Sequence, residues 1–176
     1  MKRLIFIHQD QIIIAKMGPP FKIADWQKAA AEKRQALFDS IPKSHLLPAE
    51  LAKKATEQGL LPSDPEVLNC GVLSPLDLEI TSIDSADIIL ERIATRRYSS
   101  VQVTEAFCKR ASIAQQTTNC LTEILYDRAL ERARWLDEYY KREGGTVGIL
   151  HGLPVSLKVN LTRDYHLLRW WTKICY

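Results

Sequence analysis

The stretch Gly-Ile-Leu-His-Gly-Leu-Pro-Val-Ser-Leu-Lys, residues 148–158, predicts a turn that leads into a β-strand. From Gly152 to Val159 the side chains alternate in character, as they do on a strand whose two faces differ. One face is apolar and carries Leu153, Val155, Leu157 and Val159. Lys158 lies on the opposite face.

Two residues of this stretch have both an ordinary and a chemical interpretation. A half-buried strand leaves Lys158 in solvent and charged, because the ordinary pKa of lysine is about 10.4. Burial would lower that pKa by roughly 3 units or more and give a neutral amine that can act as a general base. His151 is either a base or a loop histidine with satisfied hydrogen bonds, and spacing alone leaves both questions open.

Upstream of the stretch, apolar spacing and capping residues predict five helices. They cover about residues 25–40, 48–58, 85–96, 100–118 and 127–143. The helix at 48–58 is mostly polar, and each of the other four has an apolar face. These faces are formed by Trp26, Ala30, Leu37 and Ile41, by Ile88, Ile89 and Ile93, which are predicted to point inward, by Val103, Phe107, Ala111 and Ala114, and by Leu130, Ala133, Leu136 and Tyr140. A short strand is expected at residues 121–125, and the proline-containing segment 60–76 is a linker or a wrapping arm. The order helix, strand, helix, strand predicts the start of an α/β fold.

Composition narrows the classes of function. The 176 residues are 46% hydrophobic and 26% charged, as in an ordinary globular domain. The net charge of +3 is concentrated at the two ends, so the body lacks the basic face that binds nucleic acid. No apolar run is long enough to span a membrane, and the four cysteines have no zinc-site spacing. We expect a cytoplasmic protein.

The stretch at 148–158 resembles the first motif of the amidase signature family, Gly-x-Leu-x-Gly-x-Pro-x-x-x-Lys, at every fixed position. Four upstream blocks are similar to fungal acetamidase-type members, namely residues 71–80, 100–110, 119–124 and 129–134. The resemblance covers about residues 20–158. It implies an α/β fold, specifically the N-terminal fragment of the amidase signature fold, with mostly helices and the first core strands.

The resemblance also implies a chemistry. The family hydrolyses small carboxamides to a carboxylate and ammonia with a Ser–cis-Ser–Lys triad and with neither metal nor cofactor. Lys158 corresponds to the triad lysine, and Ser156 has no role by this match. The implied partner is a small amide substrate. Nucleic acid and membrane are not expected as partners, and a homo-oligomer is compatible with the family.

The resemblance divides the chain into three parts. We expect residues 1–16 to be an unplaced N-terminal extension, residues 17–158 to be the N-terminal part of an amidase domain, and residues 159–176 to be a non-matching tail. Both triad serines are expected beyond residue 176. Because triad members act as a unit, the 176-residue chain is expected to be inactive.

Three other interpretations accompany this one. The chain is a non-catalytic interaction module that uses exposed helix faces in 85–96 and 101–118, or it is the truncated product of an unspliced transcript. The truncated product is suggested by Val159, where the resemblance stops. Every valine codon begins with GT, as an intron does, so residues 159–176 would be the translation of an intron that was not removed. A tail that binds nucleic acid or membrane through Trp170 and Trp171 is disfavoured, because the segment has no amphipathic period.

Overall fold

A computed structural model describes residues 5–8, 11–14 and 23–156, with side chains from residue 26 onward. The chain separates into two compact units, residues 1–36 and residues 37–176. Lys158, the end of the predicted strand at 157–159 and the predicted tail at 159–176 lie outside the described residues.

A β-hairpin stands near the start of the first unit. Strand β1, Ile5–His8, pairs antiparallel with β2, Gln11–Ile14. Ile5 lies opposite Ile14, and His8 lies opposite Gln11. The isoleucine-rich composition suits strands, because β-branched side chains fit the pleated surface. The sequence alone predicts no secondary structure for residues 1–16.

The first helix, α1, spans Ile23–Asp39, close to its predicted bounds. Burial begins only at its last turn, with Leu37, and continues at Ile41. Trp26 lies on the predicted apolar face, yet half of its surface is exposed. Helical spacing aligns Trp26 with Leu37, but neighbours from other elements decide which part of that stripe is covered.

The remaining helices belong to the second unit. They are α2 at Ala49–Gln58, α3 at Pro65–Leu68, α4 at Pro75–Thr81, α5 at Ala86–Ala94, α6 at Ser100–Thr118 and α7 at Tyr126–Glu143. Left-handed residues end α2, α6 and α7, at Gly59, Asn119 and Gly144 respectively. Glycine and asparagine are the residues that adopt this backbone at least cost, so these ends were readable from the sequence. The helix predictions at 48–58, 85–96, 100–118 and 127–143 are confirmed.

Helix α6 is the centre of the unit, and α4, α7, α2 and the 3-10 turn Lys43–His45 all contact it. Its start is fixed by a capping box, in which the Gln102 N–H donates to Ser99 Oγ at 3.0 Å and the Ser99 N–H donates to Gln102 Oε1 at 2.9 Å. Two apolar clusters lie against it. One contains Val103 and Ala106 with Ile80, Ile89, Ile93 and Tyr98. The other contains Ile113 with Leu47, Leu51, Val67 and Leu73.

Burial on the helices departs from the predicted stripes in two places. Ile88 of α5 is 39% exposed, so its predicted inward position is wrong, whereas Ile89 and Ile93 are buried as predicted. On α6, Phe107, Ala111 and Ala114 are only half-buried. Neighbours contact this helix on more than one side, so its buried surface is wider than a single stripe and includes polar residues, namely Ser100, Thr104, Ser112 and Gln115.

The segment 60–76 wraps the core. It forms α3, and its Val67 is fully buried in the second apolar cluster together with Leu73. Of the two interpretations that the sequence left open, the linker is wrong and the wrapping arm is confirmed.

The two strands predicted downstream of α6 are not formed in the described residues. Residues 121–125 have no strand conformation, and the Leu121 N–H donates instead to the Gln115 side chain at 2.6 Å. Residues 152–156 form a turn at Gly152 and no strand. A strand needs a neighbouring ladder for its backbone groups, and alternation in a sequence cannot supply one. The described part of the α/β fold is therefore mostly helical.

A buried ion pair joins α4 to α6. The Asp77 carboxylate, 5% exposed, accepts hydrogen bonds from the Ser74 N–H at 2.8 Å and from Lys109 Nζ at 2.7 Å. Burial by itself raises the pKa of the Asp77 carboxyl, but the hydrogen bonds from Lys109 and Ser74 outweigh it, and the pKa lies below its usual 3.8. The unfolded chain therefore binds this proton more readily than the folded chain does.

Asp77→Asn keeps the size of the side chain but removes the charge that pairs with Lys109. We expect the free energy of unfolding at pH 7 to fall by about 1–3 kcal/mol in urea denaturation. Since a lowered pKa stabilises the fold above about pH 4 and loses that effect below it, the variant should also lose less stability on acidification. Glu57→Gln is the control, because its exposed pair with Lys53 at 4.0 Å is worth less than about 1 kcal/mol. Equal losses in the two variants would contradict this account.

Candidate active site

The structure describes the approach to Lys158, although the lysine itself lies outside the described residues. Residues 147–153, called the 147–153 turn below, follow helix α7 and include the first two residues of the strand predicted at 152–159. The His151 N–H donates to the Gly148 carbonyl at 3.1 Å, and the Leu153 N–H donates to the Leu150 carbonyl at 3.2 Å. These two bonds close the turn locally.

Gly152 brings the turn against the start of α6. Its φ is +76°, and an added Cβ would lie 2.6 Å from Ser100 Oγ and 3.2 Å from Ile93 Cδ1. Both the backbone conformation and the space therefore require glycine. Leu153, the next residue, packs on the apolar cluster that contains Ile93 and Val103. The end of the turn, residues 151–153, therefore packs on α5 and α6, whereas residues 148–150 are exposed.

His151 is buried in the turn, with 5% of its surface exposed. Its Nδ1 accepts a hydrogen bond from the Val147 N–H at 3.1 Å, and its ring meets the Tyr140 ring edge-on at 6.0 Å between centroids. Burial lowers the pKa of the imidazole; Arg132 and Arg96 lower it further, while Asp137 opposes them. His151 is therefore neutral at pH 7, and of its two interpretations the loop histidine fits better, with one nitrogen satisfied.

Asp137 of α7 is the residue of this region that the sequence did not single out. Its carboxylate is 8% exposed and accepts from the Ser100 N–H at 2.8 Å and the Val101 N–H at 3.1 Å. The first N–H groups of a helix have no partner within the helix and carry partial positive charge, so the carboxylate stabilises both. The available signal was an acidic residue next to Leu136 on the inward face of α7.

Two buried polar atoms of this region lack a hydrogen-bond partner among the described residues. They are Ser100 Oγ and His151 Nε2, which therefore do not form a Ser–His pair. Within the same residues no three His, Cys, Asp or Glu side chains gather where they would hold a metal ion. No helix in the described ranges has the length and apolarity to cross a bilayer.

Gly152→Ala tests the seating of the turn. The methyl group would occupy space held by Ser100 and would force a left-handed backbone on alanine, so we expect a loss of about 2–4 kcal/mol in the free energy of unfolding. Gly148→Ala is the matched control in the same turn, because a Cβ there meets nothing within 4 Å. Its effect should stay within about 0.5 kcal/mol in the same urea titration. Indistinguishable variants would mean that the turn is not seated on Ser100.

Comparison with known proteins places the chain among the amidases. The profile of the family described as Amidase matches residues 102–166. An amidase from Gibberella moniliformis is 46% identical over 134 residues, which cover 76% of this chain and 25% of the relative. The acetamidase of Emericella nidulans is 44% identical over 144 residues, covering 77% of this chain and 23% of the relative.

A solved structure agrees in sequence and in fold. Fatty acid amide hydrolase superposes with a TM-score of 0.66 and 36% sequence identity, and the alignment covers 76% of this chain and 23% of that chain. The chain spans about a quarter of the length of the curated relatives it matches. The resemblance found in the 148–158 motif is therefore confirmed, and the chain belongs to the amidase signature family.

Proposed function

We propose that this chain forms the lysine-bearing part of an enzyme that hydrolyses small carboxamides, with Lys158 as the base of a Ser–cis-Ser–Lys triad. The observation that carries the proposal is the 147–153 turn. Its Gly152 is a fixed position of the family motif and His151 is the variable position before it, and both are buried against helices of this chain. The matched range 102–166 includes Lys158.

The choice of small carboxamides rests on the names of the relatives. Acetamidases of Emericella nidulans and Aspergillus oryzae are 44% and 38% identical to this chain. Fatty acid amide hydrolase is 36% identical and, by its name, acts on fatty acid amides. We infer an acetamide-like substrate, because two of these relatives are named acetamidases.

The proposed reaction moves one proton through the triad. A neutral Lys158 amine accepts a proton from a bridging serine, which in turn takes the proton of a second serine as the oxygen of that serine attacks the amide carbonyl carbon. The proton then passes to the leaving nitrogen, and the C–N bond breaks to release ammonia. Water hydrolyses the resulting serine ester to the carboxylate. A neutral Lys158 requires burial that lowers its pKa by about 3 units. This shift corresponds to about 4 kcal/mol of preference for the neutral over the charged amine.

Both serines belong, in this proposal, to the part of the relatives' length that the chain does not span. The 176-residue chain alone should therefore release no ammonia from acetamide, propionamide or benzamide. A serine-directed fluorophosphonate should also leave it unlabelled. Turnover by the purified chain with a labelled serine would contradict the assignment of the serines.

The positive test is a chimera. Residues 17–158 replace the matched segment of the Emericella nidulans acetamidase, and ammonia release from acetamide is measured. We expect an active chimera in which Lys158→Ala lowers kcat by at least about 10³-fold, because triad members act as a unit. Lys141→Ala, at the exposed end of α7, is the control and should retain activity. A Lys158→Ala chimera within tenfold of its parent would refute the role of Lys158.

A non-catalytic interaction module is the second candidate, and one observation favours it. Ile149, Leu150 and Val155 expose 89%, 42% and 53% of their surfaces around the 147–153 turn. Sedimentation of the 176-residue chain with an intact fungal acetamidase separates the two candidates. A stable complex that is lost in Ile149→Asp, with no turnover in the chimera, would favour the module; no complex and an active chimera would favour the enzyme.

A further inference from the structure

We propose that His151 is a positioning residue that keeps the 147–153 turn seated only while its imidazole is neutral, so that protonation releases the turn from helices α5 to α7. The release itself is a property of the described residues. Its consequence for catalysis, displacement of the segment that carries Lys158, rests on the proposed function.

The hydrogen bond to His151 has a fixed direction. Val147 contributes a backbone N–H, which can only donate, so Nδ1 must hold a free electron pair to accept it at 3.1 Å. The proton of the neutral ring then sits on Nε2. Adding a second proton places it on Nδ1 and turns an acceptor into a donor that faces another donor. Protonation therefore removes this bond and replaces it with a repulsive contact.

Burial disfavours the imidazolium most, and the charges around His151 act on it in both directions. Arg132 of α7 and Arg96, which precedes α6, both disfavour a positive ring, and Arg96 already lies over the Tyr140 ring at 4.6 Å from its centroid. Asp137 of α7 is the opposing charge and acts more strongly on the ring than either arginine alone, while both of its oxygens accept N–H bonds from the start of α6. The pKa of His151 nevertheless lies below its ordinary value, because burial is the largest effect. At the adjacent Gly152, the nearest side chains from helices α5 and α6 are those of Ile93 and Ser100, and both are uncharged.

His45 shows why the direction of the bond matters. Its pKa is also lowered, chiefly by burial, and its Nδ1 lies 3.2 Å from Ser112 Oγ. A hydroxyl accepts as well as donates, so it can turn to accept from a protonated ring. His45 can therefore be protonated without losing its contact, which makes it the matched control.

The test follows the Val147 amide by NMR in the 176-residue chain between pH 7.5 and 4.5. We expect its chemical shift and its hydrogen-exchange protection factor to change at the midpoint of the His151 imidazole titration. Protection should fall by roughly two- to tenfold, as the loss of one buried hydrogen bond produces. His151→Gln keeps an acceptor that does not titrate and should hold the amide protected across the range, whereas His151→Ala should leave it unprotected throughout. His45→Gln should leave the Val147 transition in place.

Several outcomes would overturn the proposal. The Val147 amide could stay protected while His151 titrates, or the transition could survive in His151→Gln. Protection could also be lost at the same time at the core amides of Val103 and Ala106, which would mean global unfolding. The measurement needs no turnover, so an inactive chimera with an intact Val147 transition would reject the proposed function and leave the inference on His151 standing. An active Lys158-dependent chimera without the Val147 transition would support the proposed function and reject the inference on His151.

Discussion

The Asp137 carboxylate on the first N–H groups of α6 is the contact on which the arrangement of this region depends. It joins the central helix of the unit to α7 through two hydrogen bonds of 2.8 and 3.1 Å from groups that have no partner within α6. Bonds to an ionised acceptor contribute roughly 1.5–3 kcal/mol each, more than a neutral pair does. With α6 and α7 fixed in this way, the 147–153 turn packs against them. Gly152 lies against Ser100 and Ile93, and His151 lies against Tyr140.

Other polar pairs attach the outer segments to α6 in the same manner. The Gln116 side chain accepts from the Leu47 N–H at 2.9 Å and donates to the His45 carbonyl at 2.9 Å, which fixes the chain just before α2. Lys109 pairs with Asp77 and fixes α4. These partners lie far apart in the chain, so α6 works as a common support and its buried surface must include polar residues.

The structure gives the amidase motif a physical explanation at two of its positions. The fixed glycine corresponds to Gly152, where the left-handed backbone and the 2.6 Å approach to Ser100 exclude a side chain. The variable position before it holds His151, whose neutral ring accepts the Val147 N–H inside the turn. The motif therefore specifies a seated turn as well as a lysine. The chemistry of Lys158 itself stays a proposal.

The sequence alone determined features that depend on neighbours within a few residues. Helices α2, α6 and α7 end where Gly59, Asn119 and Gly144 adopt a left-handed backbone, and Ser99 caps α6, because those preferences are local. The motif at 148–158 was likewise readable, and it identified the family. Tertiary structure decided the rest: the exposure of Trp26 and Ile88, the absence of a strand at 121–125, and the position of Asp137 at the end of another helix. Burial, strand pairing and long-range hydrogen bonds each require a partner from elsewhere in the chain, and periodicity along one segment does not contain that partner.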